Sequence, residues 1–105
     1  GLKEKEPEVI TYPSKRIFTT GNEQVVLILP DAIIKQYSAR FYNADGRMIF
    51  ELKHLKENYL ILEKVYFGKS GWYTFEIYDR GKLIEKNKLF VPQDKKKQSI
   101  LKSRP

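Results

Sequence analysis

Catalytic side chains are scarce in this sequence. His54 is the single imidazole in 105 residues, and there is no cysteine. Thiolate zinc sites, disulfides and cysteine nucleophiles are excluded outright, and most histidine metal sites go with them. A serine triad can be assembled on paper from Ser70, His54 and an aspartate. Ser70, however, sits in the turn Gly68-Lys69-Ser70-Gly71 without the setting of a nucleophile elbow, and His54 stands among lysines. A solvated loop histidine is the simpler account. Most carboxylates neighbour a lysine, as in Glu63-Lys64, Glu85-Lys86 and Lys56-Glu57. That pattern suits a solvated strand face better than an acid and base of tuned pKa. Calcium loops and phosphate-cradling glycine loops are absent. The sequence therefore predicts no catalytic residue, no metal site, no cofactor and no enzyme.

Recognition chemistry is better supplied. Arg40, Tyr42, Trp72 and Tyr78 are of the types enriched at interaction hot spots. They can act together only if strands bring them to one face. From Trp72 to Asp79 the chain alternates, with Tyr73, Phe75 and Ile77 on one side and Trp72, Thr74, Glu76 and Tyr78 on the other. Tyr37, Ala39 and Phe41 alternate in the same way with Ser38, Arg40 and Tyr42. If these two strands are neighbours with their apolar sides inward, the four residues share one outer face, suited to a protein or a cell-surface glycan. The competing expectation is that terminal segments or other strands cover these rings.

The remaining pattern is strand-like throughout. Val25-Val26-Leu27-Ile28-Leu29 is a continuous apolar run ended by Pro30, as in a strand buried on both faces. Strands are expected near 9–12, 15–19, 23–29, 36–43, 47–52, 59–65, 72–79 and 83–91, with one helical turn at most, over residues 52–57. Asn43-Ala44-Asp45-Gly46 and Asp79-Arg80-Gly81-Lys82 supply hairpin turns whose glycines tolerate positive φ. Seven to eight short strands with turns about every 8–12 residues predict an all-β antiparallel sandwich of the immunoglobulin-like or fibronectin-III-like kind.

One domain accounts for the length. The apolar run Val25–Pro30 is far short of the roughly 18 residues that span a membrane as a helix. The net charge of +7 divides into −1 over residues 1–8, +4 over 9–92 and +4 over 93–105. Residues 1–8 are expected to be a flexible segment, 9–92 the folded domain and 93–105 a basic tail too poor in apolar groups to order itself. Aromatics beside cations on a sheet, together with that tail, allow polyanion or nucleic-acid binding as an alternative. The lysines of 9–92 are interspersed with acids, however, and no RNA-binding sheet motif appears, so nucleic acid is not the expected partner.

Two resemblances refine this reading. Gly71-Trp72-Tyr73-Thr74-Phe75 resembles the tyrosine corner of immunoglobulin-type domains. It implies that the Tyr73 hydroxyl turns back onto the preceding loop and that Phe75 fills the place of the antibody cysteine; Lys69 stands where those domains usually carry aspartate. Across residues 12–91, Tyr12-Pro13, the Val25–Leu29 run, Tyr42-Asn43-Ala44-Asp45-Gly46-Arg47, Gly71-Trp72-Tyr73 and Gly81-Lys82 before Lys88-Leu89-Phe90-Val91 follow one another in a familiar order. The order resembles the C-terminal sorting domain of type IX secretion cargo in Bacteroidetes, a small immunoglobulin-like sandwich. It implies an extracytoplasmic attachment module of a bacterial envelope or secreted protein.

Overall fold

A computed structural model describes residues 12–94. These residues form seven strands: β1 (Ile17–Thr19), β2 (Val25–Ile28), β3 (Tyr37–Tyr42), β4 (Met48–Leu55), β5 (Tyr59–Leu62), β6 (Gly71–Asp79) and β7 (Lys82–Val91). They pair antiparallel in two sheets, ordered β1-β2-β5 and β4-β3-β6-β7. This three-plus-four arrangement is the fibronectin-III-like form of the immunoglobulin-like sandwich that the alternation predicts.

Period two does the sorting. Ala39, Phe41, Phe75 and Ile77 are fully buried between the sheets, and the register sets Phe41 against Phe75 and Ala39 against Ile77. The opposing sheet contributes Ile17, Val25, Leu27 and Leu62. At the centre the Phe41 ring stacks on Phe50 with centroids 4.5 Å apart and meets Phe67 edge-on at 5.6 Å. β2 is paired on both sides, and its first three residues are all buried, as its unbroken apolar run requires.

The turns follow their residues. The β6–β7 hairpin closes through Arg80 and Gly81, with φ of 55° and 79°, the two positive values that a type I′ turn demands. The Arg80 amide donates to the Gln36 carbonyl at 2.9 Å, fastening this hairpin to the entry of β3. In the β3–β4 hairpin the Asn43 Oδ1 accepts from the amides of Asp45 and Arg47, and Gly46 takes the left-handed position.

The tyrosine corner is present. The Tyr73 hydroxyl lies 2.6 Å from the Lys69 carbonyl and 2.9 Å from that of Phe67, and shares its one proton between them. It thereby ties the loop before β6 to the core. Tyr73→Phe removes the donor and leaves buried carbonyl surface unsatisfied, so we expect a loss of about 1–2 kcal/mol in denaturant unfolding with the fold retained.

Four details differ from expectation. The helical turn lies at Lys64–Phe67, not over 52–57, and it drops Phe67 into the core. This shortens the expected strand 59–65 to β5. β4 instead continues through 53–55: its register moves from Ala39↔Leu52 to Tyr37↔Leu55. One extra residue is absorbed by a bulge with His54 at φ 55°, which turns Leu55 inward. The strand expected at 15–19 begins only at Ile17, because the buried Ser14 hydroxyl accepts from the Arg16 and Ile17 amides and holds the chain in a turn. The strand expected at 9–12 lies outside the described residues except for Tyr12, which is in a bend. Segment 1–8, expected to be flexible, and the expected basic tail beyond Asp94 likewise fall outside them.

Candidate functional site

The outer face of the four-stranded sheet is built by the register that builds the core, one residue out of step. Glu51 pairs with Arg40, Arg40 with Glu76, and Glu76 with Lys86. Four strands thus lay down one cross-strand row of alternating charge, each neighbour opposite in sign. Arg40 Nε donates to Glu51 Oε2 at 3.1 Å. Tyr42, from the adjacent row on one side, and Tyr78, from that on the other, both donate their hydroxyls to Glu76 Oε1, at 2.7 and 2.8 Å. The Arg40 guanidinium carbon sits 4.8 Å from the centre of the Tyr78 ring. Arg40, Tyr42 and Tyr78, expected on one face, are here joined in one network with Glu76 as its hub.

This arrangement moves its ionisable groups away from neutrality. Burial alone would raise the Glu76 carboxyl, but the hydroxyls of Tyr42 and Tyr78, with Lys86 and Arg40, outweigh it and hold the group below its ordinary value. Burial first, and then the bond to Glu76, push the Tyr42 and Tyr78 phenols above theirs. A carboxyl depressed on folding contributes stability that is fully present above its unfolded value of about 4.3 and is lost as pH falls through the folded value. Acid titration of unfolding stability should therefore show a steeper loss below about pH 4 in the wild type than in Glu76→Gln, whose side chain still accepts from both tyrosines but does not titrate.

Trp72 stands apart from this network, at the end of β6 that begins with Gly71. It is 48% exposed. Phe90 meets it at 5.4 Å and Tyr12 at 5.6 Å, both near edge-on. Lys88 Nζ lies 5.1 Å from the Trp72 ring and 5.5 Å from that of Tyr12. The expectation that a terminal segment covers the rings is met here in part, by Tyr12. Glu51, Glu76, Lys88, Phe90 and Tyr12 join the face without having been singled out as contacts. Cross-strand register is the signal that places them, and it depends on strand pairings that one sequence does not display.

Glu85 corrects the sequence reading. Beside Lys86 it looks like half of a solvated pair, yet it is 1% exposed. Adjacent residues of a strand point to opposite faces, so Glu85 falls in line with the inward Asn87, Leu89 and Val91. Its Oε1 accepts from Arg16 at 2.8 Å and its Oε2 from Asn87 Nδ2 at 3.1 Å. It borders an open cleft of about 730 Å³ beside Tyr12, Pro13, Ile28 and Pro30, and is the one carboxylate lining it among the described residues. No partner for acid–base work stands opposite. His54 and Ser70 are also kept apart. Leu55 and Asp79 share the row of Tyr37, whereas Ser70 precedes Gly71, about 26 Å away along β6 at a strand rise of roughly 3.3 Å. Comparison with family models, curated proteins and solved structures returns no match for this chain.

Proposed function

We propose that this chain is a non-enzymatic, extracytoplasmic attachment module that holds a protein or a cell-surface glycan against the outer face of its four-stranded sheet. The observation that carries the reading is the Tyr42–Glu76–Tyr78–Arg40 network. Its side chains are held before any partner arrives, the tyrosines by their bonds to Glu76 and Arg40 by Glu51 and the Tyr78 ring, so little rotamer freedom is left to lose on binding. The exposed Trp72 with Phe90 and Lys88 extends the same face with apolar and cation–π surface. The displaced pKa values support a non-enzymatic role, because neither the carboxyl nor the phenols are poised to exchange protons near neutrality. The likeness in segment order to type IX sorting domains supports the extracytoplasmic attachment role.

Polyanion or nucleic-acid binding is the second reading. The alternating row sets Glu76 on a central strand of the face and Glu51 on its β4 edge, where a phosphate backbone would be repelled. Salt separates the two: attachment through Trp72 and Tyr78 is salt-tolerant, whereas polyanion binding weakens steeply and disappears on deletion of 93–105. The direct test is retention of cell-envelope components on immobilised wild type and on Trp72→Ala/Tyr78→Ala. Hot-spot truncations cost about 2 kcal/mol or more each, so a specific partner should vanish from the double variant while its melting curve still shows a folded domain. Identical retained sets would end the sheet-face reading.

A further inference from the structure

The end of the sandwich where β3 begins carries an apolar tip that serves neither the core nor the sheet-face network, beside a basic cleft that shares Arg40 and Glu51 with that network. Ile33 and Ile34, in the loop between β2 and β3, are 71% and 69% exposed. Their position is imposed by the loop. Ala32 is fully buried and its amide donates to Asn58 Oδ1 at 2.9 Å. The Tyr37 hydroxyl donates to the Pro30 carbonyl at 2.9 Å, and the amides of Ile34 and Lys35 both donate to the Asp31 carbonyl at 3.1 Å. Lys56 Nζ donates to the Lys35 carbonyl at 2.7 Å. A loop braced on both flanks holds two adjacent isoleucines in water, where they contribute nothing to folding.

Alongside lies an open cleft of about 520 Å³ lined by Arg40, Lys53, His54, Lys56 and Arg80, with Glu51 as its one acid. Arg40 is taken up by Glu51. Asp79, which precedes Arg80, is engaged by Lys35 at 3.8 Å and by the Gln36 amide at 3.0 Å. Lys53 and Arg80 have no ion-pair partner among the described residues.

We infer that this end docks on an anionic lipid surface, with Ile33 and Ile34 entering the boundary between headgroups and acyl chains while Lys53, Lys56 and Arg80 meet lipid phosphates. The choice of occupant rests on both halves of the surface. A soluble polyanion, or an acidic surface without an apolar patch, would satisfy the cations and leave the isoleucines in water. A second copy or an apolar groove would cover the isoleucines and leave the cations unmatched. An anionic bilayer offers negative charge immediately above an apolar layer and satisfies both. The residues that make the contact, Ile33, Ile34, Lys53, Lys56 and Arg80, lie outside the Tyr42–Glu76–Tyr78–Arg40 network, and Trp72 lies at the other end of β6.

Flotation of the full chain with vesicles tests it. With equal parts phosphatidylcholine and phosphatidylserine the wild type floats; with phosphatidylcholine alone it stays in solution. Ile33→Ser/Ile34→Ser, at exposed positions, lowers partition about tenfold, in keeping with two partly buried isoleucines. Lys53→Gln/Arg80→Gln lowers it by about thirtyfold, from two lost surface cations. Trp72→Ala leaves it unchanged. Absence of flotation overturns the inference, and so does flotation that survives both double variants, since other cations then carry it. Binding of inorganic phosphate without vesicle partition would assign the cleft to a soluble anion. A concentration-dependent dimer abolished by Ile33→Ser/Ile34→Ser would assign the tip to a second copy. Either of these also overturns it.

Discussion

Truncation of Phe41 to alanine should remove about 3–5 kcal/mol of unfolding free energy, enough to leave the domain largely unfolded if its total lies at the low end of the usual 5–15 kcal/mol. The ring is fully buried and touches its neighbours on several sides, stacked on Phe50, edge-on to Phe67 and tilted against Phe75. These partners come from β4, β6 and the turn before β6, so the cavity left by the ring cannot be closed by moving any one of them. Phe90→Ala is the control. That ring is on the outer face and 40% exposed, and its loss should cost about 1 kcal/mol or less. Denaturant midpoints for the two variants give the comparison. Equal costs would mean that inner and outer faces have been exchanged.

Arg16→Ala should cost about 2–3 kcal/mol, most of it from stranding the Glu85 carboxylate in the interior with Asn87 as its remaining donor. The figure is set below that of a fully buried pair because the Arg16 side chain is 37% exposed and water can partly replace it. The effect is asymmetric. Glu85→Gln keeps an acceptor for Arg16, while the exposed guanidinium can turn to solvent, so this change should cost distinctly less. Arg16→Met/Glu85→Leu should recover much of the loss of Arg16→Ala, since an apolar pair of similar volume needs no compensation. An Arg16→Ala variant as stable as wild type would show that the ion pair contributes nothing.

How far the sequence could be read depended on which interactions set each element. β3 and β6 could be read from alternation alone, because both bury one face and expose the other. The hairpin at Arg80-Gly81 could be read because positive φ selects its residues locally. β7 gave a mixed reading. Its span was clear, but Glu85 and Asn87 occupy inward positions with polar side chains, and the bond between them, with the Arg16 guanidinium 69 residues away in sequence, makes that burial tolerable. The single helical turn was misplaced because Leu52–Glu57 and Glu63–Phe67 are similar short mixed runs, and pairing with β3 decides between them. On the outer face, Arg40, Tyr42 and Tyr78 were grouped correctly because adjacency of β3 and β6 followed from the fold class. The role of Glu76 as their hub, and the company Trp72 keeps with Tyr12 and Phe90, depend on cross-strand neighbours beyond the reach of one-dimensional pattern.

Oxidative footprinting of the wild-type chain, free and mixed with cell-envelope extract, bears most directly on attachment through the four-stranded sheet. Hydroxyl radicals label exposed aromatic rings, and Trp72 and the half-exposed Tyr78 report on the two halves of the face. Attachment predicts that labelling of both falls in the presence of extract while that of Tyr59 and Tyr66, exposed elsewhere, does not change. Unaltered labelling of Trp72 and Tyr78, alongside protection of any other ring, would contradict it.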